Sequence, residues 1–171
     1  AFQYTKNWTY FTALPSLFEK MGEQEKSTLA YLYLTQYQLE EQKYSEAIQT
    51  LETSQKDKGF HLQHNLVLVD LYYLADQKEK ALKLAVQTAK ALSEQNPRQA
   101  AQVYRRLLKE HPNKFSLYPS LAALLENPQE KVQVLLKGAL QALQQEKTQV
   151  AKELSQKAQV FSADSFIDNL I

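Results

Sequence analysis

Apolar residues recur three and four positions apart along nearly the whole 171-residue chain. That spacing lines one face of an α-helix, whereas a strand needs alternation. It predicts helices over 2–21, 25–41, 44–56, 61–75, 78–95, 98–111, 115–126, 129–145, 147–161 and 163–170. The interruptions carry physical stops. Gly22 and Gly59 suit the left-handed position just past a helix end. Asn96-Pro97, His111-Pro112 and Asn127-Pro128 each end one helix and start the next, because proline fits the first helical turn and disfavours helix before it. Pro15 lies inside the first predicted helix and is expected to kink or split it, while Pro119 falls in a first turn and is tolerated. Ser162 or Asp164 is placed to cap a short last helix. The connections are short, so consecutive helices should form antiparallel hairpins.

Three glycines and five prolines leave too few turns for a many-stranded sandwich or barrel. The 21 glutamines and 17 lysines, with many Leu, Ala and Glu, lose little rotamer freedom in a helix. The expected class is all-α, with residues 1–171 as one domain.

Several function classes lose their basis. Without cysteine there is no disulfide, thiol nucleophile or zinc–thiolate site. The net charge of +1 gives no broad basic face for nucleic acid, and the cluster Arg105, Arg106 and Lys109, diluted by Glu110, reads as a solvated helix face. No apolar run approaches the ~18 residues of a membrane span. His61 and His64 stand three apart with Asp57 as the nearest third ligand; they read as ordinary histidines near a helix start. No HExxH, GxSxG, phosphate-binding loop or GxGxxG occurs. The expectation is a protein that is not an enzyme and takes no metal or cofactor. A cytoplasmic location is expected, with a processed periplasmic form as the alternative. Ala1 in place of Met is read as a processed end or a piece of a longer chain.

One stretch is more specific. Lys43-Tyr44-Ser45-Glu46-Ala47-Ile48 is followed by Leu51 and Ser54, and Lys78-Glu79-Lys80-Ala81-Leu82 by Ala85 and Thr88. Ala81 stands 34 residues after Ala47. This period and pattern resemble the tetratricopeptide repeat. In that family a large residue closes the turn and a small one three positions on lets the two helices of a hairpin approach. Tyr44 and Ala47 match those roles, Tyr31 and Leu34 match the first helix, and Leu68, Tyr72 and Ala81 match in the next copy, where Lys78 replaces the turn tyrosine. Two later sets, Ala100-Tyr104-Leu107-Pro112 and Val132-Leu136-Ala139, keep the offsets of a second helix but fall off the 34-residue grid.

The resemblance implies a right-handed α-solenoid of stacked antiparallel hairpins. Its clearest repeats are about 28–61 and 62–95, with irregular repeats and capping helices over 97–171. The stripe Val150, Leu154, Ala158 and Phe161 suits a cap, and Phe166, Ile167, Leu170 and Ile171 would be sticky if exposed. The resemblance puts the partner-binding groove on the first helix of each hairpin. Its candidates are Leu29, Tyr33, Gln36 and Glu40, then Gln63, Leu66, Asp70 and Tyr73, with Leu32, Leu39 and Leu74 at neighbouring groove positions. Tyr33 and Tyr73 are expected to face the groove, and Tyr31 and Tyr72 the core. Leu32, Gln36 and Val67 stand where members that clamp chaperone carboxylate tails carry Lys or Asn, so that clamp is absent.

The implied role is a scaffold or adaptor that holds a partner peptide or helix, as part of a larger assembly, without contacting nucleic acid or entering a membrane. The alternative is a small secretion-type chaperone that dimerises through the aromatic residues Phe2, Tyr4, Trp8, Tyr10 and Phe11.

Overall fold

A computed structural model describes residues 9–58 and 62–168. Among these residues the chain forms nine α-helices and no strand. They are α1 (Thr9–Lys20), α2 (Gln24–Glu40), α3 (Tyr44–Lys58), α4 (Leu62–Leu74), α5 (Lys78–Gln95), α6 (Pro97–Glu110), α7 (Leu117–Leu124), α8 (Pro128–Gln144) and α9 (Thr148–Asp168). Gly59, His61 and the aromatic residues up to Trp8 lie outside the described residues, as do the side chains of Tyr10, Asp57, Asp164, Phe166 and Ile167, and Leu170 and Ile171 entirely.

The stops expected from Asn-Pro act as caps. Asn96 Oδ1 accepts from the Gln99 N–H at 3.1 Å, with Pro97 in the first turn. Asn127 Oδ1 accepts from Gln129 N at 2.8 Å and Glu130 N at 3.3 Å ahead of α8. Each satisfies helix donors that have no intrahelical partner. Of the kink or split expected at Pro15, the split does not occur: α1 runs through Pro15, whose buried carbonyl accepts from Ser27 Oγ at 3.0 Å. The separate helix at 163–170 does not form, because α9 continues through Ser162 to Asp168. Ser162 Oγ instead donates to the Gln159 carbonyl at 2.9 Å, back into its own helix.

Four helix–helix connections share one geometry. Gly22, Gln42, Asp76 and Glu146 have φ of 74°, 59°, 56° and 59°. At each, the left-handed residue donates to the carbonyl three positions back, and its successor to the carbonyl five back: Gln42 to Leu39 and Lys43 to Gln38, Glu146 to Leu143 and Lys147 to Ala142. These are Schellman turns, which satisfy the last carbonyls of one helix. Five residues after each left-handed residue stands a small buried one: Ser27, Ala47, Ala81 and Ala151, all at most 3% exposed. A small side chain there lets the new helix close onto the old.

The residues group into two compact units, 1–84 and 85–171, with the boundary inside α5. In the first, Ala47, Ile48, Leu51, Leu68, Leu71, Tyr72 and Ala81 form the core. In the second, Tyr118, Ala122, Leu135, Ala139, Ala142, Ala151, Leu154 and Ala158 do so, with Val150 and Phe161 packed against them.

The burial pattern itself repeats. Ala30, Tyr31, Leu34, Thr35, Gln38, Ala47, Leu51 and Ser54 are buried, and so is the residue 34 positions after each: His64, Asn65, Leu68, Val69, Tyr72, Ala81, Ala85 and Thr88. A third copy begins 70 residues after the second, where Leu135, Gly138, Ala139, Ala142, Ala151 and Ala158 are buried at positions matching Asn65, Leu68, Val69, Tyr72, Ala81 and Thr88. The Val132-Leu136-Ala139 reading is therefore corrected. Leu136 is 44% exposed while Leu135 is 1% exposed, and Ala151 on α9 holds the place that Ala47 holds on α3. Ala100, Tyr104 and Leu107 are buried together on α6 as their offsets predict.

Candidate functional site

The first unit carries the residues picked from sequence as a partner surface. α2 has both apolar and polar residues on its outer side. Leu29 is 51% and Tyr33 64% exposed, and Gln36 and Glu40 are exposed with the Gln36 amide donating to the Glu40 carboxylate at 3.3 Å. Positions 29, 33, 36 and 40 fall four, three and four apart, so they share one helix face. On α4, Gln63 and Asp70 are exposed, Leu66 and Tyr73 are half-buried, and Leu74 is 69% exposed. Leu32 and Leu39 are half-buried against the core. Tyr31 and Tyr72 are buried, and Tyr33 is the most exposed of these tyrosines.

What joins the two helices lies directly beneath these stripes. His64, fully buried, places Nε2 3.1 Å from the Thr28 carbonyl on α2 and Nδ1 2.6 Å from Ser54 Oγ on α3. A carbonyl only accepts, so Nε2 carries the proton and donates to Thr28; Nδ1 then accepts from the Ser54 hydroxyl. The Tyr31 ring meets the imidazole edge-on at 6.3 Å. One histidine thus ties α2, α3 and α4, and holds exposed Leu29 and Gln63 on neighbouring backbone. Both imidazole nitrogens serve this tie, which makes His64 a structural residue. Among the described residues no group of three or more His, Asp or Glu is placed to hold a metal ion.

A second tie lies at the far end of α4. Tyr72 donates its hydroxyl to Glu52 Oε1 at 2.6 Å, and Lys80 Nζ stands 3.9 Å from the same oxygen and 5.4 Å above the Tyr72 ring. Burial, then the Glu52 carboxylate, pushes the Tyr72 phenol far above its usual range. At the start of α4, next to His64 in the chain, the Asn65 side-chain oxygen accepts from the Gln55 amide. These bonds order α3 against α4.

Sequence reasoning missed a feature of the second unit. Arg105, Leu108 and Lys109 on α6, Tyr118 and Leu121 on α7, and Val134 and Lys137 on α8 enclose a cleft of about 320 Å³. The signal was present in the Arg105–Lys109 cluster, but its apolar neighbours come from two other helices.

No protein-family model matches the chain, and no curated protein matches it. Among the described residues no helix is long and apolar enough to cross a membrane.

Proposed function

We propose that the protein is a helical-repeat scaffold of the tetratricopeptide type, which holds a segment of a partner protein on the outer faces of α2 and α4. The observation that carries this reading is the exposed Leu29–Tyr33 pair above a buried, fully bonded layer. An isolated exposed leucine is ordinary, but a tyrosine and a leucine one turn apart, flanked by Gln36 and Glu40, supply both apolar area and polar anchors for a peptide. The 34-residue recurrence of buried positions supports the repeat type, and the Thr28–His64 bond supports side-by-side first helices. The side-chain chemistry of the two stripes holds no nucleophile–base pair, which favours binding over catalysis.

The test is affinity capture with the intact chain and its Tyr33→Ser/Asp70→Lys variant. Loss of the captured partner in the variant, with unchanged helicity, is the expected result. Undiminished capture would move the contact elsewhere and refute the surface assignment.

A dimeric chaperone of the secretion type is a second reading, favoured by one observation: Leu17 on α1 and Met21 just past its end are 50% and 60% exposed. Light scattering decides it. A dimer that dissociates on Leu17→Lys/Met21→Lys supports this reading, and a monomer at 100-micromolar order removes it.

A further inference from the structure

We propose that the cleft between α6, α7 and α8 is a separate docking site for an acidic protein segment that inserts one apolar side chain. The floor is apolar and buried. Tyr118 and Leu121 are each 2% exposed, and Leu108 and Val134 form half-buried walls. The rim is basic on opposite sides, with Arg105 and Lys109 from α6 and Lys137 from α8.

The charge pattern points to the occupant. A neighbouring cleft, lined by Arg98, Gln102, Arg105, Glu126 and Glu130, is neutralised from within: Arg98 stands 3.9 Å from Glu126 and Arg105 3.3 Å from Glu130. The cleft over Tyr118 has no carboxylate in its lining. Lys109 and Lys137 have no carboxylate within ion-pair distance among the described residues. Two uncompensated cations flanking an apolar hole complement an apolar side chain with acidic neighbours. Charge complementarity of this kind chooses the partner more than it adds affinity. Nucleic acid fits less well, because phosphate binding needs several free cations in a row. Arg105 is already committed to Glu130. An apolar floor also offers nothing to a phosphate.

The site does not rest on the α2 and α4 surface. The experiment uses the isotope-labelled intact chain and a twelve-residue peptide with one central leucine flanked by glutamates, read by NMR shift changes up to millimolar peptide. Expected are saturable shifts at Leu108, Leu121 and Val134, weakened at least tenfold in Lys109→Glu/Lys137→Glu and unchanged in Tyr33→Ser. A peptide with lysines for glutamates, and one with serine for leucine, should each bind at least tenfold more weakly. The proposal is overturned if the serine peptide binds equally, if no shifts saturate, or if a single-stranded oligonucleotide occupies the cleft more tightly than the acidic peptide.

Discussion

The Tyr118 ring occupies the space that a side chain on Gly138 would need: a Cβ there would stand 2.6 Å from Tyr118 Cγ and 2.9 Å from both Cδ atoms. The glycine lies inside α8, where it costs about 0.5–1 kcal/mol relative to alanine. The ring is 2% exposed, and its hydroxyl donates to the Pro112 carbonyl at 3.1 Å, so it has little room to give way. The local helix penalty is accepted because α7 and α8 then meet through a ring lying flat on bare backbone.

Gly138→Ala should therefore destabilise the protein although alanine favours helix. Overpacking of about 1–3 kcal/mol outweighs the propensity gain. Urea denaturation measures it. In a double-mutant cycle, Tyr118→Leu should relieve much of the penalty, and simple additivity of the two changes would count against the ring contact.

The left-handed turn residues make a graded prediction. Gln42 and Glu146 hold φ near 59° with a side chain present, whereas Gly22 holds 74° without one. Gln42→Gly and Glu146→Gly should each change stability by under about 1 kcal/mol, toward greater stability, since relief of left-handed strain is partly offset by unfolded-state entropy. Gly22→Val should lower the thermal midpoint. Equal responses at the three positions would contradict a shared geometry.

Ser54→Ala leaves the buried His64 Nδ1 without its hydroxyl donor. The expected cost is about 0.5–1.5 kcal/mol, the range for one lost hydrogen bond. Thr53→Ala is the control: Thr53 is exposed and its hydroxyl bonds to the Gln49 carbonyl of its own helix, so the change should lie within about 0.5 kcal/mol.

Alkaline pH should unfold the protein through its buried phenols. Burial raises Tyr72, Tyr104 and Tyr118; the Glu52 carboxylate adds to the shift at Tyr72, and a hydrogen bond with Ser120 opposes it at Tyr104. A raised folded-state value means that the unfolded chain releases the proton first. The contribution of these phenols to stability is therefore constant below the ordinary phenol value of ~10 and falls as pH rises beyond it. Urea midpoints between pH 8 and 11 measure the slope, and Tyr72→Phe should make it shallower.

Much of the first unit was legible in the chain because its signals are local. Ala47 and Ala81 sit inside near-identical turns 34 residues apart, and both are 0% exposed. The Asn-Pro pairs act within three residues of themselves. The third copy of the burial pattern was hidden for the opposite reason. The α6–α7 stretch, with α7 only eight residues long, stretches the spacing to 70. Leu136 then looked like core because its offset from Val132 was right, although the helix turns Leu135 inward instead.

The candidate surfaces divide in the same way. Exposure of Leu29, Tyr33, Gln36 and Glu40 follows from helical spacing on one element, which the sequence determines through 3.6-residue periodicity. The sequence likewise determined the helical class and most helix ends, because caps, prolines and left-handed turns are short-range effects. Only the tertiary structure decided that His64 ties three helices, that Gly138 makes room for Tyr118, and that Lys109 and Lys137 flank one apolar cleft. Those pairs lie ten to 36 residues apart and on different helices. No local pattern encodes which faces will meet; that is set when each amphipathic helix buries its stripe against the others.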